Sequence, residues 1–225
     1  MIVAPQQVTA AGNRTRLTVV SDHIRHLADR PVPLLFSPMT EQFEIDQADW
    51  PELLRRINRE IAILSKVERE WLKMRLAIIA ETQLAFDELF SKAGGAESCA
   101  GCDGACCGCG RHHITLTNLL AYLLEGEEPP APDFRSTCPY LGDLGCRLPV
   151  TRRPYNCITF FCEILNDRLD SADRERLRIL DHQLRNEYQL VADRYPVASL
   201  RGLWIGLKRV GSGQLLRSSN IDMLE

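Results

Sequence analysis

Apolar residues recur with helical spacing over one long stretch in the first half of the chain. From Glu52 to Lys92 there is no Gly or Pro, and apolar side chains return every three or four residues. This spacing places them on one face of an α-helix. They are Leu54, Ile57, Ile61, Leu64, Trp71, Leu72, Ile78, Ile79, Phe86 and Phe90. Asp49 is a suitable N-cap and Gly94-Gly95 a suitable C-cap, so we predict a helix between them.

A single helix of that length would be about 60 Å long at roughly 1.5 Å per residue. That exceeds the span of one small domain, so residues 49–95 are predicted to form a long helix or a helical hairpin. One interpretation of its apolar stripe is a surface that binds a protein partner or a second copy of the chain. Because the stripe is broad and contains aromatic residues, packing against the other helices is favoured.

The second half of the chain contains another amphipathic pattern. A helix is predicted from Asp170 or Ser171 to Arg194, with His182 away from its apolar face and exposed to solvent. The apolar face consists of Leu177, Leu180, Leu184, Tyr188 and Val191. A shorter helical stretch, Thr115–Leu124, is predicted to connect parts of the region between these two patterns.

These elements predict a mainly α fold, a helical scaffold with an irregular cysteine-rich metal-binding lobe. Residues 1–48 are expected to be irregular, with short strands near 17–20 and 34–36. Residues 96–165 form the cysteine-rich region, and residues 166–225 form a C-terminal helix and tail packed as one domain with 49–165. The chain has 225 residues and 45% hydrophobic content, enough for a substantial core.

The charged residues argue against two classes of partner. The chain has 27 Lys and Arg against 30 Asp and Glu, scattered along its length, with a net charge of −3. No nucleic-acid partner is therefore expected. No window approaches the roughly 18–20 apolar residues of a membrane span, and no secretory signal is visible, so we expect a cytoplasmic protein without a membrane partner.

All nine cysteines lie between Cys99 and Cys162. Thiolates are the ligands of structural zinc and of iron–sulfur clusters, whereas the reducing cytoplasm disfavours a disulfide framework. Cys106 and Cys107 are adjacent and their side chains diverge, so they are expected to serve different centres, or one of them to pack. With Cys109 set aside, eight cysteines remain, enough for two four-thiolate sites. If Cys106 and Cys107 belong to different sites, the eight cysteines can be divided between the two sites in twenty ways.

At these cysteines the chain resembles the YkgJ-like cysteine-cluster family of zinc- or iron-chelating domains. The matching residues are Cys99, Cys102, Cys106 and Cys107; Cys138-Pro139-Tyr140-Leu141; Gly145-Cys146; Arg153-Pro154-Tyr155-Asn156-Cys157; and Phe160-Phe161-Cys162. The spacer Asp103-Gly104-Ala105 is one residue longer than the commonest form, and Cys109 is additional. The resemblance implies metal binding by the eight matching cysteines and does not imply a named reaction.

The resemblance does not by itself distinguish an iron–sulfur cluster from zinc. A flagellin lysine methylase has a similar cysteine pattern and is held to contain an iron–sulfur centre, which favours a [4Fe–4S] cluster over zinc. All-sulfur ligation suits both metals. The methylase activity is not implied, because this chain is much shorter and has no convincing S-adenosylmethionine loop.

Some neighbouring residues are candidates for tuning such a centre. Arg153 is the predicted cofactor contact, because a guanidinium can donate N–H to sulfur and raise a cluster's potential. His112-His113 could supply an imidazole for a Cys3His site, although a polar surface role is favoured. The aromatic residues expected to shield the centre from water are Tyr140, Tyr155, Phe160 and Phe161.

The sequence therefore predicts a protein with one or two thiolate-ligated centres that acts in electron transfer or as an accessory to a modification enzyme. The first alternative is a zinc-stapled interaction module, in which the metal holds the fold and the long helix binds a partner. The second is a protein-modifying, methylase-like enzyme.

Overall fold

The computed structural model describes residues 38–100, 102, 105–143, 145–195, 198–209 and 215–216. The strands predicted near 17–20 and 34–36 lie outside these residues. The described residues form one compact unit, and the predicted mainly α class is confirmed. The helices are α1 Pro38–Ile63, α2 Lys66–Lys92, α3 Gly95–Ala100, α4 Leu116–Leu123, α5 Tyr155–Ile158, α6 Glu163–Arg168, α7 Ser171–Arg194 and α8 Leu200–Arg209. Two 3₁₀ segments, Ala105–His112 and Val150–Arg152, and a short antiparallel pair, β1 Leu141–Gly142 and β2 Gly145–Cys146, complete the described elements.

The long helix predicted from the apolar stripe is two helices, separated at Leu64 and Ser65. The Ser65 Oγ accepts a hydrogen bond from the Glu68 N–H at 3.1 Å and caps α2. The two helices pack against different neighbours, α1 on α4 and α8, and α2 mainly on α7.

Helix α1 begins at Pro38, well before the predicted start at Asp49, so the prediction that residues 38–48 are irregular was wrong. Pro51 lies inside the helix, where proline normally removes one backbone hydrogen bond. Trp50 is buried in the core, and the Gln47 side chain accepts a hydrogen bond from the Phe134 N–H at 3.2 Å, so contacts with the rest of the fold hold the helix across the predicted start. Packing against the rest of the fold thus outweighs the local signal for a helix start.

Two clusters of buried apolar side chains hold the helices together. The first cluster joins α1, α4 and α8 and includes Leu53, Ile57, Leu116, Leu119, Leu203 and Trp204. The second joins α2 and α7 and includes Ile79, Phe86, Leu89, Leu180 and Leu184. The apolar faces of α1 and α2 are therefore largely used in internal packing.

The cysteine-rich region contributes to both clusters. Phe134, Tyr140 and Leu148 belong to the first, whereas Ile158 and Leu165 belong to the second. The helix predicted over Thr115–Leu124 is confirmed as α4, and because nearly every residue of α4 is buried, this connecting helix is also part of the core. The buried apolar residues of the region are spaced irregularly along loops, so a search for helical periodicity does not find them.

Helix α7 confirms its prediction. Asp170 is the N-cap, and its carboxylate accepts a hydrogen bond from the Asp173 N–H at 2.8 Å. His182 is exposed, as expected. None of the helices among the described residues is long and apolar enough to cross a bilayer.

A buried ion pair ties the end of α7 to the start of α2. The Arg194 Nε lies 2.6 Å from the Glu68 Oε1, and the Tyr195 hydroxyl donates to the same carboxylate. The Arg194 guanidinium also lies 4.4 Å from the centroid of the Trp71 ring. Burial raises the pKa of Glu68, but hydrogen bonds from Arg194 and Tyr195 outweigh it and hold that pKa below its ordinary value.

Candidate metal centre

Cys99 and Cys102 lie at the end of α3, directly after the glycines that terminate α2. Gly94 has a φ of +69°, the left-handed conformation typical of a residue that ends a helix. The Cys102 thiol contacts the Cys99 carbonyl oxygen at 3.4 Å, and both cysteines are exposed. This part of the chain therefore presents two sulfur-bearing residues one turn apart.

The next three cysteines lie in the 3₁₀ segment Ala105–His112. Cys107 is half-buried and packs against the first cluster. The side chains of Cys106 and Cys109 lie outside the described part of the chain. Gly110 packs directly on Cys138, because a Cβ at this position would lie 2.9 Å from the Cys138 Sγ. Glycine thus allows the segment to approach that thiol.

Cys138 and Cys146 are brought toward one another by the short strand pair. The Leu141 N–H donates to the Cys138 carbonyl oxygen at 3.2 Å, and Leu141 is paired with Cys146 across the two strands. Gly145, with a φ of +104°, allows the tight return. Cys138 is buried in the first cluster, whereas Cys146 is exposed.

Cys157 lies on α5, close to the end of the 3₁₀ segment Ala105–His112. The His113 Nδ1 is 3.3 Å from the Cys157 Sγ, within hydrogen-bond distance of sulfur. Burial lowers the pKa of His113, and the charge of His112 lowers it further, so a neutral imidazole meets this thiol at neutral pH. The favoured expectation for the histidine pair, a polar surface role, does not fit His113.

The electrostatics of Cys157 identify its neighbours. Burial raises the pKa of the Cys157 thiol to about 12, although part of its surface remains exposed. The thiols of Cys146, Cys138 and Cys107 make smaller contributions to this raised pKa, and the positive charge of Arg153 opposes them. We call Cys107, Cys138, Cys146 and Cys157 the four-cysteine group. Cys107 lies in the 3₁₀ segment Ala105–His112, Cys138 just before β1, Cys146 on β2 and Cys157 on α5.

The four-cysteine group is not arranged as a finished metal site. Among the residues described, no three His, Cys, Asp or Glu side chains are grouped so that they could hold a metal ion. Cys138, Cys146 and Cys157 are free thiols. Four soft sulfur donors beside one imidazole nevertheless have the chemistry that zinc and iron–sulfur clusters require.

Cys162 lies elsewhere in the fold. It is the N-cap residue of α6, is half-buried and packs against the second cluster. Helix α6 contacts α3, and Arg168 donates to the Ala93 carbonyl oxygen at 3.0 Å and to the Ser98 Oγ at 2.8 Å. Cys162 thus lies in the part of the fold where α3 and α6 meet, whereas Cys138 belongs to the first cluster.

Arg153 acts electrostatically on the four-cysteine group, whereas its contact with a cofactor stays a prediction. Its Nε donates to the Leu148 carbonyl oxygen at 3.3 Å, and its charge lowers the pKa of Cys157. The geometry therefore assigns Arg153 an electrostatic influence on the group.

The predicted aromatic shield is present only in part. Tyr140 is buried in the first cluster, and desolvation raises its pKa strongly. Phe161 is buried in the second cluster, where Tyr155 also packs. Phe160 is 53% exposed, so its predicted shielding role was wrong. The alternation of neighbouring side chains in the loop directs Phe160 and Phe161 to different sides.

An open cavity of about 440 Å³ lies between α6 and α7, apart from the four-cysteine group. It is lined by Phe86, Thr159, Asn166, Asp167, Arg174, Leu177, Arg178 and Asp181. Its arginines already make internal contacts, Arg174 with the Asn166 carbonyl oxygen and Arg178 with Glu175. These contacts make the cavity part of the α6–α7 packing.

No family model, curated protein or solved structure matches the chain. The resemblance at the cysteines therefore rests on the motif residues alone, and the function has to be argued from the site.

Proposed function

We propose that this protein binds a metal through cysteine thiolates and that the four-cysteine group is one centre. The observation that carries the proposal is that cysteines from two distant parts of the chain, Cys107 and the Cys138–Cys146 turn, lie around Cys157. Thiolates crowded together repel one another, which is why the neighbouring sulfurs raise the pKa of Cys157. A metal cation would offset that repulsion by coordinating the sulfurs, and binding would release their protons.

The preferred group is a [4Fe–4S] cluster, because a flagellin lysine methylase with a similar cysteine pattern is held to contain an iron–sulfur centre. Such a cluster would supply one-electron chemistry, in electron transfer or as an accessory to a modification enzyme. Cys107, Cys138, Cys146 and Cys157 would hold it. Cys99, Cys102, Cys106 and Cys162 remain proposed ligands of a second centre. The proposal includes a cytoplasmic location.

The chain's own residues would tune this centre. His113 is placed to donate an N–H to the Cys157 sulfur, and Arg153 reduces the local negative charge. Burial of Cys138 among apolar side chains would exclude water from one side of the centre. The N–H of His113 and the charge of Arg153 would favour the more negative, reduced state of a cluster, whereas exclusion of water would oppose it.

The alternative is a zinc-stapled interaction module, since all-sulfur ligation also suits zinc. Exposed apolar residues near the junction of α1 and α2 make this interaction module the second candidate, because they offer a surface for a partner. Ile63 is 70% exposed and Val67 is 78% exposed, and either a protein partner or a homodimer could cover them. A methylase-like, protein-modifying enzyme is the third candidate and rests only on similarity of the cysteine pattern.

The test is to purify the protein without oxygen and to measure iron, sulfide and zinc together with the visible absorption. The proposal predicts bound iron and sulfide and a broad absorbance that bleaches on reduction. Stoichiometric zinc without colour would support the interaction module instead. Protein that retains no metal and takes up none would contradict both.

A further inference from the structure

Buried polar side chains from three helices converge on two backbone carbonyls just before α5. Gln83 on α2 donates its Nε2 to the Arg153 carbonyl oxygen at 2.5 Å, and the Tyr188 hydroxyl on α7 donates to the same oxygen at 3.3 Å. Asn118 on α4 donates its Nδ2 to the Arg152 carbonyl oxygen at 3.3 Å and to the Tyr188 hydroxyl at 3.0 Å. The three side chains thus form one hydrogen-bonded network around a single turn of backbone.

The network is buried more deeply than its polarity would favour. Gln83 has no exposed surface and Asn118 only 2%. The Asn118 Oδ1 accepts from the Thr115 N–H at 3.0 Å, but the Gln83 Oε1 has no hydrogen-bond partner within the described part of the chain. A buried amide oxygen without a partner is costly, so stability alone would favour an apolar side chain at position 83.

The carbonyls that the network holds lead directly to a member of the four-cysteine group. Pro154 follows Arg153 and is the N-cap residue of α5, and the Cys157 N–H donates to the Pro154 carbonyl oxygen at 2.9 Å. Cys157 is therefore fixed relative to Arg153 by one helical turn. Holding the Arg152 and Arg153 carbonyls fixes the Cys157 thiol and the charge of Arg153 relative to the helical core.

We propose that Gln83, Asn118 and Tyr188 are positioning residues that hold Cys157 in place for metal ligation. The inference rests on the proposed function, since it assigns the network to the metal centre that the four-cysteine group would form. Residues that orient metal ligands without touching the metal commonly change metal affinity by about 10- to 100-fold when substituted.

The test uses Co²⁺ as a spectroscopic probe, titrated without oxygen into metal-free protein. Gln83→Met conserves volume and removes the buried Oε1, and Tyr188→Phe removes a single hydroxyl. Thr82→Val is the matched control, because Thr82 is buried on α2 beside Gln83 and its hydroxyl bonds only to the Ile78 carbonyl of its own helix at 2.7 Å. For each variant the urea midpoint, the Co²⁺ affinity and the thiolate-to-cobalt absorption spectrum are measured.

We expect Gln83→Met to weaken Co²⁺ binding about 10- to 100-fold and to alter the spectrum, while its urea midpoint stays near that of the parent. Thr82→Val should retain the parent's affinity and spectrum. Unchanged affinity and spectrum in both Gln83→Met and Tyr188→Phe would overturn the positioning role, and so would an equal loss in Thr82→Val. If Gln83→Met does not fold, Tyr188→Phe decides the question. A parent protein that binds no Co²⁺, and that takes up no iron and sulfide when these are supplied without oxygen, would refute the proposed function and the positioning role with it.

Discussion

At the scale of single residues, His113 offers the sharpest test of the geometry around Cys157. His113→Ala removes the contact to the Cys157 sulfur and should weaken metal retention by about 10- to 100-fold. The matched control is His112→Ala, because His112 is the exposed neighbour in sequence. Metal content after dialysis against a chelator distinguishes the variants. Equal retention by both would remove His113 from the site.

Arg153 gives a second prediction at this scale, on the potential of a redox-active centre. Arg153→Ala removes the positive charge that lowers the pKa of Cys157, so it should lower the reduction potential of a bound cluster. Arg153→Lys keeps the charge and should shift the potential less. The potential is measured by titration of the visible absorbance. A potential that is the same in all three proteins would discard this role.

The sequence identified the cysteines as candidate ligands but not which of them lie together. The adjacency of Cys106 and Cys107 indicates that both cannot easily ligate one metal, but it cannot select among twenty partitions. Their grouping depends on contacts distant in sequence, such as Gly110 against Cys138 and Leu141 opposite Cys146. His113 was undervalued because no short-range pattern places it beside Cys157, which lies 44 residues away.

At the scale of the elements, the break between α1 and α2 depends on a local signal. Ser65 followed by Glu68 has the spacing of a capping box, and this signal would have placed the break that the prediction of a long helix or a helical hairpin left open. Ser65→Ala should destabilise the protein by about 1 kcal/mol in urea unfolding, because the cap to the Glu68 N–H is lost. Ser91→Ala, an exposed substitution within α2, should change the unfolding free energy by less than about 0.5 kcal/mol. Similar effects of the two substitutions would contradict the capping role.

The contact between α2 and α7 should make stability depend on pH. Because the folded protein holds the pKa of Glu68 below its ordinary value of 4.5, the stabilisation is complete above that pH and is lost as the pH falls through the lowered pKa. Glu68→Gln should cost about 1.5–3 kcal/mol at pH 7, since hydrogen bonds from charged groups are lost. The difference from the parent should shrink in acid, as urea unfolding at pH 7 and below pH 4 would measure. A difference that does not change with pH would contradict the assignment.

Helix α7 could be predicted because its apolar period and its Asp170 cap agree. The start of α1 could not, because packing of Trp50 in the core holds the helix across a strong local start signal. The backbone N–H of Phe134 also donates to the Gln47 side chain at 3.2 Å, a contact with a residue 87 positions away.

At the scale of the whole molecule, the structure changes what removal of metal should do. Residues 99–162 are rich in Cys, Gly and Pro, a composition typical of a segment that folds only around a metal. Phe134, Leu148 and Ile158 instead pack into the two clusters shared with the long helices. Chelation should therefore preserve the helical circular dichroism and increase hydrogen exchange mainly in the segments that carry the four-cysteine group. Loss of most helical signal on chelation would contradict this expectation.

The central claim is that Cys107, Cys138, Cys146 and Cys157 form a metal centre of their own. The most direct measurement is X-ray absorption at the metal edge, on a variant in which Cys99, Cys102 and Cys162 are all replaced by Ser. We predict that this variant still binds metal and that the first coordination shell of the metal contains sulfur alone. Absence of bound metal in the variant, or a shell dominated by oxygen and nitrogen, would contradict the claim.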